Sequence, residues 1–305
     1  MTSASQRLLV AGSANLDFVV RAAHIPAPGE TVLGRDFRTF PGGKGANQAV
    51  AAARAGGAPT TMLAAFGDDA FAASIEASLR DAGVVLDAVR CVDAPTGTAF
   101  ICVSDDAENA ITVAPGANAR LEPRHLPALA GFSHLLMQLE TPLPTVMAYA
   151  QAARAAGISV VLNAAPAQAL PAELLSLIDI LIVNEGELAA LAGDSGPLDE
   201  RLQRLPVSTV IVTLGERGCI ARTPTDRIRQ PGFAVQPVDT TAAGDTFCGV
   251  LVAALSQGHD LADALRRASA AAALACTRPG AQDSIPTVRE VDALLAAPCP
   301  ESPTP

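Results

Sequence analysis

Tryptophan is absent from the 305-residue sequence, tyrosine occurs once and phenylalanine nine times. Aromatics at 3% are too few for a stacking platform on single-stranded nucleic acid. Basic residues are also scarce: 21 Lys and Arg against 31 Asp and Glu leave a formal charge of -10. A phosphodiester backbone or an anionic membrane surface demands clustered positive charge, so neither is an expected partner. Only 17% of residues are charged and 50% are hydrophobic, which excludes an intrinsically disordered chain. The core must be built from Ala, Val, Leu and Ile. The six cysteines, at positions 91, 102, 219, 248, 276 and 299, form no C-x-x-C pair. Their spacing fits neither a zinc site nor a disulfide framework, and free thiols in a reducing cytoplasm are the simpler reading. Long apolar runs are missing too. The uncharged stretch at 155–172 is broken by Gly157, Asn163, Gln168 and two prolines, and the apolar run near the N-terminus is too brief for a secretion signal. A soluble cytoplasmic protein is expected.

Short runs rich in Val, Ile and Leu alternate with alanine-rich stretches of helical character. Residues 8–11, 60–66, 134–138, 158–162, 180–183 and 210–212 read as strands, with helices at 144–156, 184–191 and 198–205. Most of the strands are continuously hydrophobic, the mark of a parallel sheet covered on both faces. The implied fold is α/β, a doubly wound and mainly parallel sheet whose ligands sit beyond the carboxyl ends of the strands. Two segments depart from this alternation. Residues 18–40 hold short extended pieces punctuated by Pro26, Pro28, Gly29 and Gly34, and residues 96–113 read as a hairpin with a polar turn at 104–109. Together they suggest a small accessory sheet, serving either as a lid over a ligand or as a surface or dimer edge.

The chemistry concentrates in a few places. At 239–247 the sequence DTTAAGDTF runs a small-residue turn directly into a helix. Backbone N–H groups at such a helix start form an anion-binding concavity, and Ala242, Ala243 and Gly244 would let a phosphate approach. Asp245 stands beside it, either as a simple helix cap or as a general base toward a hydroxyl attacking a phosphoryl group. At 40–48, FPGGKGANQ places glycines around Lys44 at the head of an alanine-rich helix, but it is not a P-loop, since no Ser or Thr follows the lysine. Asn15 and Asp17 follow the first strand, and Glu140 closes the strand at 135–139, so all fall at one edge of the sheet. H-E-x-x-H, G-x-S-x-G and a Rossmann G-x-G-x-x-G are absent.

Two of these blocks, GGKGANQA at 42–49 and VDTTAAGDTF at 238–247, are the paired signatures of the ribokinase-like (phosphofructokinase B-type) carbohydrate kinases, which the sequence closely resembles from about residue 8 to 295. Further matching stretches are PGET at 28–31, PGAN at 115–118, MQLE at 137–140 and TRPGAQ at 277–282. The resemblance implies one ribokinase-like domain over 1–297, lid strands inserted at about 15–41 and 96–115, and a disordered tail at 298–305. It implies phosphorylation of D-ribose at O5 by ATP, with Asp245 as the base and the 242–245 amides as the anion hole. The sugar would be held by Asn15, Asp17, Gly43, Lys44, Gly45, Ala46, Asn47 and Glu140, with Phe100 or another apolar lid side chain above it. ATP would meet Asn184, Thr213, Leu214, Gly215, Glu216, Arg217, Gly218, Ala243, Gly244, Asp245 and Ser269. Magnesium would be organised through water by Asn184 and Glu187. A potassium activator would sit on Asp239, Thr241, Ala275, Arg278, Gly280 and Ser284, mostly through carbonyls. A homodimer through the lid strands is implied as well. The rival expectations are a kinase for another pentose, deoxyribose or a nucleoside, and a non-catalytic sugar sensor, which would be marked by loss of Asp245.

Overall fold

The computed structural model of the chain describes residues 7–106 and 108–297. The tail at 298–305, Cys299 included, lies outside the described residues. The larger sheet has nine strands. In it β1 (Arg7–Ala11) has β4 (Thr60–Gly67) and β5 (Val85–Cys91) on one side. On the other side lie β8 (Phe132–Met137), β9 (Ser159–Asn163), β10 (Ile180–Asn184) and β11 (Thr209–Thr213), all parallel. Beyond them β12 (Cys219–Arg222) and β13 (Arg227–Gln230) close the edge antiparallel. The chain builds outward through β4 and β5 and then returns to the opposite flank of β1 at β8. That reversal opens a crevice at the carboxyl ends of β1 and β8.

Both faces of this sheet are covered, as the continuous apolar runs require. Alternate side chains of one strand enter different cores. Leu8 and Val10 pack on one side with Met62, Leu136, Val161 and Ile211. Leu9 and Ala11 pack on the other with Leu63, Leu135, Leu162 and Val212. The first side is roofed by α1 (Lys44–Val50) with its π-helical extension to Ala55, by α7 (Ala243–Ser256) and by α8 (Leu261–Ala275). The second is roofed by α3 (Leu143–Ala155) and by α5 (Glu185–Ala192), which a capping box between Asn184 and Glu187 starts. Among the described residues, no helix is long and apolar enough to cross a membrane.

The two departing segments form one separate four-stranded sheet. The pieces β2 (Asn15–Arg21) and β3 (Asp36–Gly42) pair antiparallel, β6 (Gly97–Val103) lies parallel to β2, and β7 (Asn109–Ala114) completes the hairpin with β6. Strand β2 leaves β1 after only three residues, so the small sheet rises directly from the crevice. Several elements escaped the sequence pattern. Strand β5 is only half-buried, and β12 and the edge strand β13 have four residues each, too short to show a period. Strand β8 ends at Met137, so Glu140 stands in the loop beyond it rather than closing the strand.

The approach of α1 to α7 decides where the crevice residues meet. A Cβ built on Gly249 would lie 2.3 Å from the Gln48 carbonyl oxygen and 2.8 Å from the Ala51 methyl. Gly249 stands one helical turn after Asp245, so the missing side chain lets the start of α7 reach α1. Gly249→Ala is therefore expected to lower stability by about 1–3 kcal/mol through overpacking, despite alanine's better helix propensity, as read from urea denaturation.

Candidate active site

Asp245 is in the first turn of α7 and only 9% exposed. Its Oδ2 accepts a hydrogen bond from Asn47 Nδ2 at 3.0 Å, and its Oδ1 accepts one from Gln48 Nε2 at 2.9 Å. The two donors are consecutive residues of α1. Ala242, the residue before the helix, is the one non-glycine with positive φ, 58°, among the described residues. This left-handed turn swings the chain into α7 with its first amides outward. The Ala243 N–H donates to the Thr240 carbonyl at 3.3 Å, so it is not a free member of the proposed anion hole. The Gly244 and Asp245 N–H groups have no carbonyl four residues back within the helix. A Cβ on Gly244 would meet nothing within 4 Å, which leaves open space over these amides.

That space is a cavity of about 150 Å³, lined among others by Lys44, Asn184, Glu187, Thr213, Gly244 and Asp245. Lys44 is the cation of this group, and its ammonium pKa is raised chiefly by the Asp245 charge, with Glu140 and Glu187 adding to it against the opposing effect of burial. Burial raises the Glu187 carboxyl, opposed by its hydrogen bond from the Asn184 amide and by Lys44. Glu187 Oε2 accepts that bond at 2.8 Å, and Asn184 Oδ1 in turn accepts from the Glu187 N–H at 2.7 Å. Among the described residues there is no cluster of three or more His, Cys, Asp or Glu able to cage a metal directly. A hydrated magnesium ion, which keeps most of its waters, fits Glu187, a buried carboxylate that lines this cavity.

On the other side of Asp245 is a polar cradle at the base of the small sheet. Asp17 is 8% exposed and Asn15 2%. Asn118 clamps this strand, accepting from the Ala14 N–H at 3.0 Å and donating to Asn15 Oδ1 at 2.7 Å. Glu140 accepts from the Ser13 hydroxyl and, at 3.1 Å, from the Lys44 N–H. Gly45 is obligatory here: a Cβ would lie 2.7 Å from the Gly12 carbonyl carbon and the Ser13 backbone. Gly43, with φ 90°, and Ala46 complete the turn that carries Asn47 to Asp245. Asp17 pairs across the sheet with Phe40 and Ala99, and Ala99 with Val113, so these apolar residues share its face. Phe100 is displaced to the opposite face, where its ring stacks on Phe18 at 5.4 Å. It cannot cover a ligand held by Asp17.

The remaining positions fall in three further places. Leu214, Gly215, Glu216, Arg217 and Gly218 form the turn after β11, where Arg217 ion-pairs with Glu185 at 2.6 Å. Ser269 is buried in α8 with its hydroxyl 3.8 Å from the Cys219 thiol, away from the cavity around Asp245. Asp239 joins two loops by accepting from the Thr241 N–H and the Gly280 N–H, each at 2.9 Å. Burial raises its pKa, but these hydrogen bonds outweigh burial and leave the carboxyl below its usual range. Ala275, Arg278 and Ser284 lie on the same second loop or its flanks, with the Arg278 guanidinium turned to Glu290. Residues missed as site members are Gln48, Asn163, Asn118 and Ser13. The first and third sit inside motifs already singled out, but nothing in the sequence gives them partners. A larger cavity, about 590 Å³, lies between the β12–β13 turn and the helix Leu198–Gln203. The Arg222 guanidinium there is spent on backbone carbonyls and Arg227 on Asp199, so the chemistry is not at that edge.

A buried carboxylate set between an amide-lined cavity and a polar cradle is the geometry; similarity supplies the family. The family model described as pfkB family carbohydrate kinase matches residues 5–288. The chain belongs to the pfkB carbohydrate kinases. It is 42% identical to the ribokinase of Haemophilus influenzae over 93% of this chain and 96% of the relative. It resembles the crystal structure of ribokinase from Thermotoga maritima with a TM-score of 0.89 and 36% identity, covering 96% of this chain and 99% of that one. The Arabidopsis thaliana ribokinase complexed with ribose and ATP gives 0.88 at 33% identity, covering 97% and 100%.

If Asp17 takes sugar hydroxyls, as its place in the cradle of a pfkB kinase suggests, its charge state governs that grip. Burial, and then the Glu140 and Asp245 charges, raise its pKa from 3.8 to about 7, with Lys44 opposing. Its carboxylate form is the hydrogen-bond acceptor, and it is lost as pH falls through about 7. KM for the sugar should therefore rise below that pH while KM for the nucleotide holds. The stability sign runs the other way. An acid whose folded pKa is raised costs stability as pH climbs from the unfolded value through the folded one. Asp17→Asn should thus raise Tm at pH 8 and have little effect at pH 4, as read by calorimetry at both.

Proposed function

We propose that the chain phosphorylates D-ribose at O5 with ATP, giving D-ribose 5-phosphate and ADP. The observation that carries this reading is the position of Asp245. It is held by two amides of α1 at the boundary between the polyol cradle and the cavity over the Gly244 amide. Asn15, Asp17, Glu140 and the Gly43–Asn47 turn take the sugar hydroxyls. A carboxylate with two accepting oxygens suits vicinal hydroxyls, which each donate one hydrogen. Phe40, Ala99 and Val113, on Asp17's face, supply the apolar cover, and the small sheet acts as a lid.

Asp245 takes the proton of the O5 hydroxyl. The oxygen then attacks the γ-phosphorus as the bond to the β-phosphate oxygen breaks and ADP departs. The Gly244 and Asp245 amides and the Lys44 ammonium meet the charge on the transferring group. Besides its place in the sugar-holding turn, Lys44 also serves the phosphates in this reading, since it lines the cavity with Asn184, Glu187 and Thr213. Magnesium supplies phosphate charge neutralisation, and Glu187 with Asn184 would hold its waters. The turn at 213–218 takes the nucleotide beyond the phosphates.

A monovalent cation belongs to this reading as well. Asp239, ionised and tied to Thr241 and Gly280, supplies the charge that a potassium ion near the start of α7 requires, with carbonyls of the 275–284 loop around it. Two copies associating through the lid account for its surface. All of β7 is exposed, Ile111 at 54%, and Phe37 and Phe100 are exposed at 65% and 54%. An apolar edge strand of this kind is a liability unless a partner covers it.

Asp245→Asn is expected to lower kcat by at least about 10²-fold while ribose binding by calorimetry stays within a few-fold. Near-parental turnover would refute the base assignment. ADP release with a panel of ribose, deoxyribose, other pentoses, hexoses and nucleosides should show the highest kcat/KM for ribose. Potassium should raise turnover over sodium or no monovalent cation, and Ile111→Lys should shift sedimentation from dimer to monomer.

A further inference from the structure

Gln48 has no part in the roles above, yet it is fully buried and all its polar atoms are used. Its Nε2 donates to Asp245 Oδ1 at 2.9 Å and to Asn163 Oδ1 at 3.0 Å, and its Oε1 accepts from Gln138 Nε2 at 2.6 Å. The direction of this chain is fixed by one backbone group. The Ile182 carbonyl can only accept, so it takes the Asn163 Nδ2–H at 3.2 Å and turns Asn163 Oδ1 toward Gln48. Gln48 must then present its NH₂ to Asn163, and the same NH₂ lies against Asp245. The flipped amide would set Oε1 against two accepting oxygens. On the far side Gln138, 1% exposed, fits because position 12 is glycine, where a Cβ would fall 1.9 Å from Gln138 Oε1. The network joins the ends of β8, β9 and β10 to α1 and α7, the same elements that frame the crevice.

We propose that Gln48, oriented by Gln138 and Asn163, is a positioning residue that holds the Asp245 carboxylate in line with the acceptor hydroxyl. The inference rests on Asp245 being the base. With Oδ1 tied to Gln48 and Oδ2 to Asn47, the carboxylate cannot rotate about its terminal torsion, and a fixed lone pair faces the sugar cradle. The amide also offsets part of the negative charge gathered there. Asp17 and Glu140 face Asp245 from the cradle, Glu187 from α5 and Cys248 from its own helix, with Lys44 as the cation in the group.

The test is kinetic, on the full chain with ribose and ATP. Gln48→Met, similar in volume and unable to donate, should lower kcat by roughly 10- to 100-fold, with both KM values within about threefold. In the Asp245→Asn background the same change should cost nothing further, since Gln48 acts through that carboxylate. Gln138→Met, which leaves Gln48 in place but unanchored, should give a smaller kcat loss of the same kind and serves if Gln48→Met does not fold. Parental kcat in both variants, or an equal and additive loss in the Asp245→Asn background, would overturn the proposal. An Asp245→Asn protein that itself kept its turnover would instead overturn the underlying base assignment, and the proposal with it.

Discussion

The close contact between α1 and α7 is the constraint on which the rest of the molecule depends. Gly249 removes the side chain that would hold the helices apart, and the gap closes until Asn47 and Gln48 reach Asp245. This one contact unites two sequence motifs almost 200 residues apart. One supplies the turn in the polar cradle, the other the helix start beneath the cavity. Alanine elsewhere along α1, α7 and α8 keeps the same layer thin, which is why a core so poor in aromatics still packs closely.

The electrostatics follow from the same geometry. Asp17, Glu140, Glu187 and Asp245 gather around Lys44, an excess of negative charge in a site meant for two substrates, one of them polyanionic. The arrangement is workable because the carboxylates are divided by function. In the proposed reading those toward the small sheet accept from hydroxyls, which bring donors and no charge. On the phosphate side backbone amides, one ammonium and the bound metal ions would carry the positive charge. Asp17 shows what this costs: its carboxyl is displaced to about 7, so the group that best grips a sugar is also one that strains the fold. The overall charge of -10 thus says nothing about the ligand, since the phosphates are never offered a basic surface.

Much of this was legible in the sequence, for physical reasons that differ between elements. The buried strands announced themselves because both faces are covered, so residues such as 8–11 and 180–183 are apolar without interruption. The polar turns around Lys44 and Asp245 were visible because their small residues break the apolar pattern. The glycines beside Lys44 are forced by close backbone approach, and Gly244 opens onto the cavity. Strands β12 and β13 left no trace, being only four residues each. Side-chain facing was the other blind spot. Phe100 and Ala99 differ by one position, and only the register with β2 shows that Ala99 shares the Asp17 face while Phe100 stacks on Phe18. Nor could the sequence show that Ser269 is buried against Cys219, or that Gln48, Gln138 and Asn163 form one chain, because such partnerships exist only after the strands are ordered.

The central claim is that the sugar hydroxyl, deprotonated by Asp245, attacks the γ-phosphorus directly across the boundary of the two half-sites. The stereochemical course at phosphorus tests it most directly, using ATP made chiral at the γ-position and analysis of the sugar phosphate formed. A single in-line displacement predicts inversion of configuration. Retention, the outcome of two successive displacements through a phosphorylated side chain, would contradict the account.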